Sequence, residues 1–291
     1  MSEAALSIPT PAPVRRGPTL WRRMRKSWQI RIGVCILGML VLAAVLAPFV
    51  TAYDPARPNM RERMALPSWT HPFGTDNLGR DLFSRVIFGS RVSLRIGLIS
   101  VGIASFCGVT LGLLAGYFPR LDNPIMRAMD VLLAFPGLLL AIAILGALGP
   151  SLTNAMIAVG IGATPSFVRI TRSAVLRVRT REYVEASRAV GATDSRIVVR
   201  HVLPNASSEI IVTTTLSMAS AILAASVLSF LGLGAQPPTP EWGAMVFSAK
   251  DFLDIAPYMA LFPILAIFVT VLGFNFLGDG LRDALDPRLY R

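Results

Sequence analysis

The 291-residue chain is 53% hydrophobic and only 15% charged, with 28 basic residues against 17 acidic ones and a net charge of +11. A soluble domain carries about 25% charged residues, so the deficit points to a lipid bilayer. The basic residues stand in clusters beside apolar runs, which fits anionic headgroups and membrane topology rather than nucleic acid.

Cys35 and Cys107 are the only cysteines, and each lies inside an apolar run. That argues against a disulfide framework, and no zinc-site spacing or metal site can be written from them. The only lysines are Lys26 and Lys250, and neither stands in a Gly-x-x-x-x-Gly-Lys-Ser/Thr loop. No cofactor is therefore expected on this chain, and ATP is not expected to bind to it through a P-loop.

Residues 1–29 form a Pro-rich tail dense in arginine, expected to be disordered. The 19 uncharged residues Ile32–Val50 follow. They are longer than the apolar stretch of a signal peptide and lack an obvious small-residue cleavage site. A retained first membrane helix over 30–50 is expected, given a spanning length of ~20 residues.

Thr51 to about Val92 is polar and contains His71-Pro-Phe-Gly-Thr-Asp-Asn-Leu-Gly-Arg-Asp81. Thr75 or Asp76 suits the cap of a short helix. Leu82, Phe83, Val86 and Ile87 then share one helical face, with Asp81 and Arg85 placed to pair at i,i+4. The expectation is an interfacial helix within an extracytoplasmic segment, 51–92; a plain connector is the alternative.

Four more uncharged windows follow: Ile96–Phe118, Val131–Val168, Ile210–Pro240 and Ile255–Gly278. The second is 38 residues long, enough for two helices, and Gly149-Pro150-Ser151 breaks it into a hairpin. The expected total is six spanning helices, five of them in a core over 93–281, with a short tail at 282–291. Ser100, Ala104, Gly108, Gly112 and Gly116 put a small residue at every fourth position, a face another helix can approach closely. Pro136-Gly137 and Pro263 are expected to bend their helices. Thr213, Ser217 and Ser220 place hydroxyls on one face. These either line a polar path or bond back to their own helix. Asp130 and Glu209 read as helix-end groups, snorkelling or capping.

An even number of spans puts both termini on one side. With that side cytoplasmic, 20 basic residues fall inside and 8 outside, in the sense of the positive-inside rule. The charged stretch Glu182-Tyr-Val-Glu-Ala-Ser-Arg-Ala-Val-Gly191, running on to His201-Val-Leu-Pro204, is then cytoplasmic. It reads as two short helices within a loop at 180–205. Gly191 suits a left-handed C-cap, Thr193 or Asp194 an N-cap, and Pro204 should push Leu203 out of helical geometry. An amphipathic loop resting on headgroups is the competing reading, against which Glu185 near anionic lipid counts.

Glu185-Ala186-Ser187, three residues, Gly191, nine residues and then His201-Val-Leu203-Pro204 resembles the EAA loop of bacterial ABC importer permeases. Ser187 stands where a second alanine is usual and His201 where isoleucine is usual. Phe73-Gly-Thr-Asp-Asn-Leu-Gly-Arg-Asp81 and Leu231-Gly-Leu-Gly-Ala-Gln-Pro-Pro-Thr-Pro-Glu-Trp-Gly243 are similar to the C-type subunit of the dipeptide/oligopeptide/nickel group. The resemblance implies an all-α, type I importer permease of the cell inner membrane. It would work with a paired B-type permease, two cytoplasmic ABC ATPase subunits and an extracytoplasmic substrate-binding protein. ATP and Mg would be held by the ATPases. Glu185, Ala186, Ser187, Gly191, His201, Leu203 and Pro204 would form the coupling helix that docks on an ATPase.

Two rival readings compete. A secondary transporter places ionisable groups near the bilayer midplane, where these helices have none. An intramembrane hydrolase needs a base near its nucleophile, and His71 and His201 both lie outside the apolar windows.

Overall fold

The computed structural model describes residues 24–285, and the two basic tails read from the sequence lie largely outside them. Helix is the dominant element, because a backbone in lipid must satisfy its own hydrogen bonds. Among the described residues the α-helices from Trp28 onward are, in order, α1 (Trp28–Val50), α2 (Leu82–Tyr117), α3 (Pro119–Leu133), α4 (Gly137–Leu148), α5 (Leu152–Arg179), α6 (Glu182–Ala189), α7 (Asp194–Ile197), α8 (Leu203–Phe230), α9 (Trp242–Ala249) and α10 (Tyr258–Leu285).

Among the described residues four stretches are long and apolar enough to cross a membrane: α1, α2, the continuous run Asp194–Phe230 that contains α8, and α10. A fifth arises if α3 and α4, bent by 90° at Pro136, count as one broken span. The sixth expected span corresponds to α5. It is 28 residues long but carries Asn154, Thr164, Arg169 and Arg172, so composition alone does not mark it as a span. Ser151 caps α5 by accepting from the Asn154 N–H at 3.1 Å, and Gly149 turns the chain at a φ of 86°. Pro263 lies inside an unbroken α10.

The 36-residue α2 is the axis of the molecule. At 1.5 Å per residue it is roughly 54 Å long, against ~30 Å of bilayer hydrocarbon. It packs on α5 and α8 around buried Ile96, Val101, Phe167 and Leu228. On the other side of the bundle α10 runs against α1 and α8.

Three expectations for 51–92 are corrected. The stretch from Leu82 is no separate interfacial helix; it is the first part of α2, because Asp81 caps it by accepting from the Ser84 N–H at 2.7 Å and nothing interrupts it afterwards. Asp81 and Arg85 do not pair either. Asp81 faces His71 Nδ1 at 2.8 Å. Arg85 donates to the carbonyls of Pro55 and Pro238 at 2.7 and 3.3 Å and lies 3.7 Å from Asp76. Asp76 accepts from the Leu78 and Arg80 N–H groups and from Arg80 Nε, so it organises a turn rather than a helix start. These buried polar groups fold 51–81 and the segment before α9 into one cap around the start of α2.

Candidate functional site: the helical island between α5 and α8

The island lies at the end of the bundle opposite this cap. α6 ends in a Schellman motif: Gly191 N–H donates to Arg188 O at 3.0 Å and Ala192 N–H to Ser187 O at 3.1 Å. Gly191 has a φ of 85° and open space around it, so its requirement is conformational, not steric. Val184, Ile197 and Val202 are fully buried and pack with Val175 and Tyr117. The island is thus held on the ends of α5 and α2.

Leu203 is helical, with φ −59° and ψ −45°, contrary to the expectation that Pro204 would expel it. The chain solves the proline differently. Val198–Val202 form a π turn in which the Leu203 N–H reaches back five residues to Val198 O. The wider turn relieves the clash between the Pro204 ring and the preceding turn. Asn205 Nδ2 donates to His201 O at 2.6 Å, inside the helix rather than at its start. The island therefore runs into α8 without a break.

The outward surface of the island carries Glu185 and Ala186, both exposed, and Tyr183, Val190 and Val199 of the island are likewise exposed. Glu185 enters no ion pair among the described residues. Ser187 and His201 meet: Ser187 Oγ donates to Tyr183 O at 2.8 Å and lies 3.5 Å from His201 Nε2, whose ring is 6.2 Å from that of Tyr183. Sequence reading marks each as a departure from the EAA pattern but cannot see that the two are neighbours. Leu203 is half-buried and Pro204 exposed.

The ties that fix the island were not legible in advance. Tyr117, buried at the end of α2, donates to Asp194 Oδ1 at 2.6 Å and accepts from Arg188 Nη2 at 3.5 Å. Arg179 Nη1 donates to the carbonyls of Gly116 and Tyr117 at 3.2 and 3.1 Å. Further ion pairs brace the surrounding helices. Arg172 grips Asp122 of α3 with two bonds of 2.5 and 2.6 Å, Arg169 meets Asp130, and Arg177 meets Glu209. Asp130 and Glu209 are thus ion-pair partners, not lone helix-end groups. The only hint in the sequence was a basic run along one end of α5.

Gly108, Gly112 and Gly116 all face α5. A Cβ at Gly112 would stand 2.6 Å from Thr171 Cβ and one at Gly116 2.7 Å from Val175 Cβ, while Gly108 abuts Phe167. Thr213 bonds back to Glu209 O at 2.8 Å; Ser217 is half-buried and Ser220 exposed. None of these three lines the open apolar cavity of about 410 Å³ between α8, α9 and α10, whose walls include Leu223, Phe230, Val246 and Phe268.

Residues 108–291 match the family described as binding-protein-dependent transport system inner membrane component, and residues 19–67 match the N-terminal TM domain of oligopeptide transport permease C. The chain is 46% identical to the dipeptide transport system permease protein DppC of Alkalihalophilus pseudofirmus, over 92% of this chain and 89% of that one. It is 46% identical to the di/tripeptide transport system permease protein DppC of Pseudomonas aeruginosa, over 97% and 95%. It is 47% identical to the glutathione transport system permease protein GsiD of Pectobacterium atrosepticum, over 92% and 90%. Among solved structures, the MetNI methionine ABC transporter in inward-facing conformations is similar in fold, with a TM-score of 0.58 at 20% identity over 70% of this chain and 98% of that one. The chain belongs to the family of binding-protein-dependent transport system inner membrane components, as a non-enzymatic, multi-pass permease subunit of an ABC importer in the inner membrane.

Proposed function

We propose that this permease forms part of the translocation path for short peptides, and that the island over 182–204 is the lever by which ATPase subunits drive it. Importers of this family combine permeases, ATPases and a substrate-binding protein; the arrangement inferred here is one B-type permease beside this chain, two ATPases and one extracytoplasmic binding protein. ATP and Mg would sit in the ATPases. The observation that carries the reading is the island itself. It presents an exposed glutamate, in no ion pair among the described residues, on a short helix with a rigid glycine stop, and it is continuous with α8 through a π turn.

A lever needs stiffness between the point where force is applied and the element that moves. The Schellman stop fixes α6 against α7, and the unbroken backbone from Asp194 to Phe230 fixes α7 to α8. Glu185, exposed on α6, is the charge available to a basic group on an ATPase. Closure of the ATPases on ATP would then displace α8 and switch the path between inward- and outward-facing states. Thr213, Ser217 and Ser220 on α8 are the proposed path-facing hydroxyls. For the cargo, the relatives' names point to dipeptides, tripeptides and glutathione, and a peptide of two or three residues is the proposed class.

The test is uptake by vesicles holding the complete complex. Glu185→Ala and Gly191→Val are expected to insert and assemble normally yet lose ATP-driven uptake of a radiolabelled dipeptide such as Ala-Ala. A valine at Gly191 would have to hold a left-handed backbone, at a cost of about 1–3 kcal/mol, enough to deform so short an element. Wild-type uptake in both variants would sink the lever. Uptake without any ATPase subunit would restore the secondary-transporter reading.

A further inference from the structure

We infer that Tyr117 is the positioning residue that ties the island to α2, so that force applied at Glu185 reaches the central helix of the bundle as well as α8. The inference rests on the lever reading above. Its ground is that a single buried phenol serves both short helices at once. The hydroxyl donates to Asp194 Oδ1 at 2.6 Å, in the first turn of α7, and accepts from Arg188 Nη2 at 3.5 Å, in the last turn of α6. The ring packs in the cluster of Val175, Val184, Ile197 and Val202.

The island depends on such a tie. α7 has only four residues, and the Thr193 side chain before it makes no capping bond. Its first turn, the free end of the continuous run Asp194–Phe230, is therefore held by contacts from outside the helix. The bond to Asp194 is charge-assisted and therefore among the stronger kinds. Arg179, at the end of α5, closes the same corner by donating to the last carbonyls of α2 at Gly116 and Tyr117. The ends of α2, α5, α6 and the start of α7 are thereby joined within one cluster of side chains.

Tyr117→Phe keeps the ring in its apolar seat and removes only the hydroxyl. In vesicles holding the complete complex, amide hydrogen exchange over 182–202 is expected to quicken by about tenfold, the effect of one lost charge-assisted bond on local opening. Stimulation of ATP hydrolysis by the binding protein is expected to fall toward the unstimulated rate. Asp194→Asn, which keeps an oxygen acceptor but not its charge, should fall between wild type and Asp194→Ala; Asp194→Ala should match Tyr117→Phe, and the double variant should be no worse than either. Asp194 is exposed, so Asp194→Ala carries the test if Tyr117→Phe fails to fold.

Wild-type protection over 182–202 in Tyr117→Phe overturns the tie. So does an island loosened with stimulation unchanged, or an Asp194→Asn variant as disruptive as Asp194→Ala. If Tyr117→Phe behaves as wild type while Glu185→Ala loses stimulation, the tie falls and the lever stands. Unaltered stimulation in both Glu185→Ala and Gly191→Val removes the lever itself.

Discussion

Glu241 is a carboxylate with no exposure to solvent, at the start of α9 and far from the island. It caps α9 by accepting from the Ala244 N–H at 2.8 Å, and it accepts from Ser226 Oγ at 3.1 Å. Burial pushes its carboxyl above the ordinary carboxylate range, against the opposing pull of the Gly243 and Ala244 N–H groups. The native state therefore holds this proton more tightly than the unfolded chain does. Its stabilising effect is full below the ordinary value of 4.5 and is lost as pH rises toward the elevated native value. Glu241→Gln retains an acceptor for the cap and a donor for the serine. The wild type is expected to lose melting temperature in detergent through this group as pH rises above about 4.5, and the variant to lack that contribution and to equal or exceed the wild type at pH 8. A steeper slope in the variant would refute the buried-acid account. The burial of Glu241 was not readable beforehand. Glu241 stood in the sequence as one letter of Pro-Glu-Trp-Gly243, and burial belongs to the fold. Gly191 was readable, because only a few residue types tolerate a left-handed backbone and the helical composition ended there.

Elements were legible where a period or a breaker announced them. The small residues from Ser100 to Gly116 declared a packing face, but not that its partner is α5; that pairing is long-range and leaves no mark on either segment alone. Ser100 Oγ, for example, donates to Met156 O at 2.9 Å across the interface. The closeness makes the face intolerant of bulk. Gly112→Val would set a branched side chain where a Cβ alone stands 2.6 Å from Thr171 Cβ. A loss of about 1–3 kcal/mol is expected from such overpacking, read as a lower melting temperature of the detergent-purified chain. Gly162→Ala, inside α5 where a Cβ meets nothing within 4 Å, should leave that temperature level or raise it. Breakers misled the reading once. Pro204 suggested a helix end, and a π turn carried the helix through it, since a wider turn can absorb a missing donor without ending the element. The start of α2 was hidden for a different reason. A helix that leaves the bilayer changes from apolar to amphipathic midway, so a composition window splits one element in two.

At the scale of the whole molecule, the two ends of the bundle differ in kind. One end holds a cap knitted by buried polar groups around Asp76, Asp81 and Arg85. The other holds a small island with exposed Glu185, Val190 and Val199. We propose, from the distribution of basic residues, that the island faces the cytoplasm, and the lever reading requires it there, because ATP is cytoplasmic. Single cysteines can test that assignment in a Cys35→Ala, Cys107→Ala background. Trp69→Cys reports on the cap and Val190→Cys on the island; both positions are highly exposed. A membrane-impermeant maleimide added to spheroplasts is expected to modify Trp69→Cys and spare Val190→Cys, and in inverted vesicles the pattern should reverse. The opposite pattern would place the island outside the cell, out of reach of any ATPase, and the lever and the Tyr117 tie would lose their purpose together. Labelling of Val190→Cys from the cytoplasmic side, followed by its protection when ATPase subunits are added back, would mark this face as the one they cover.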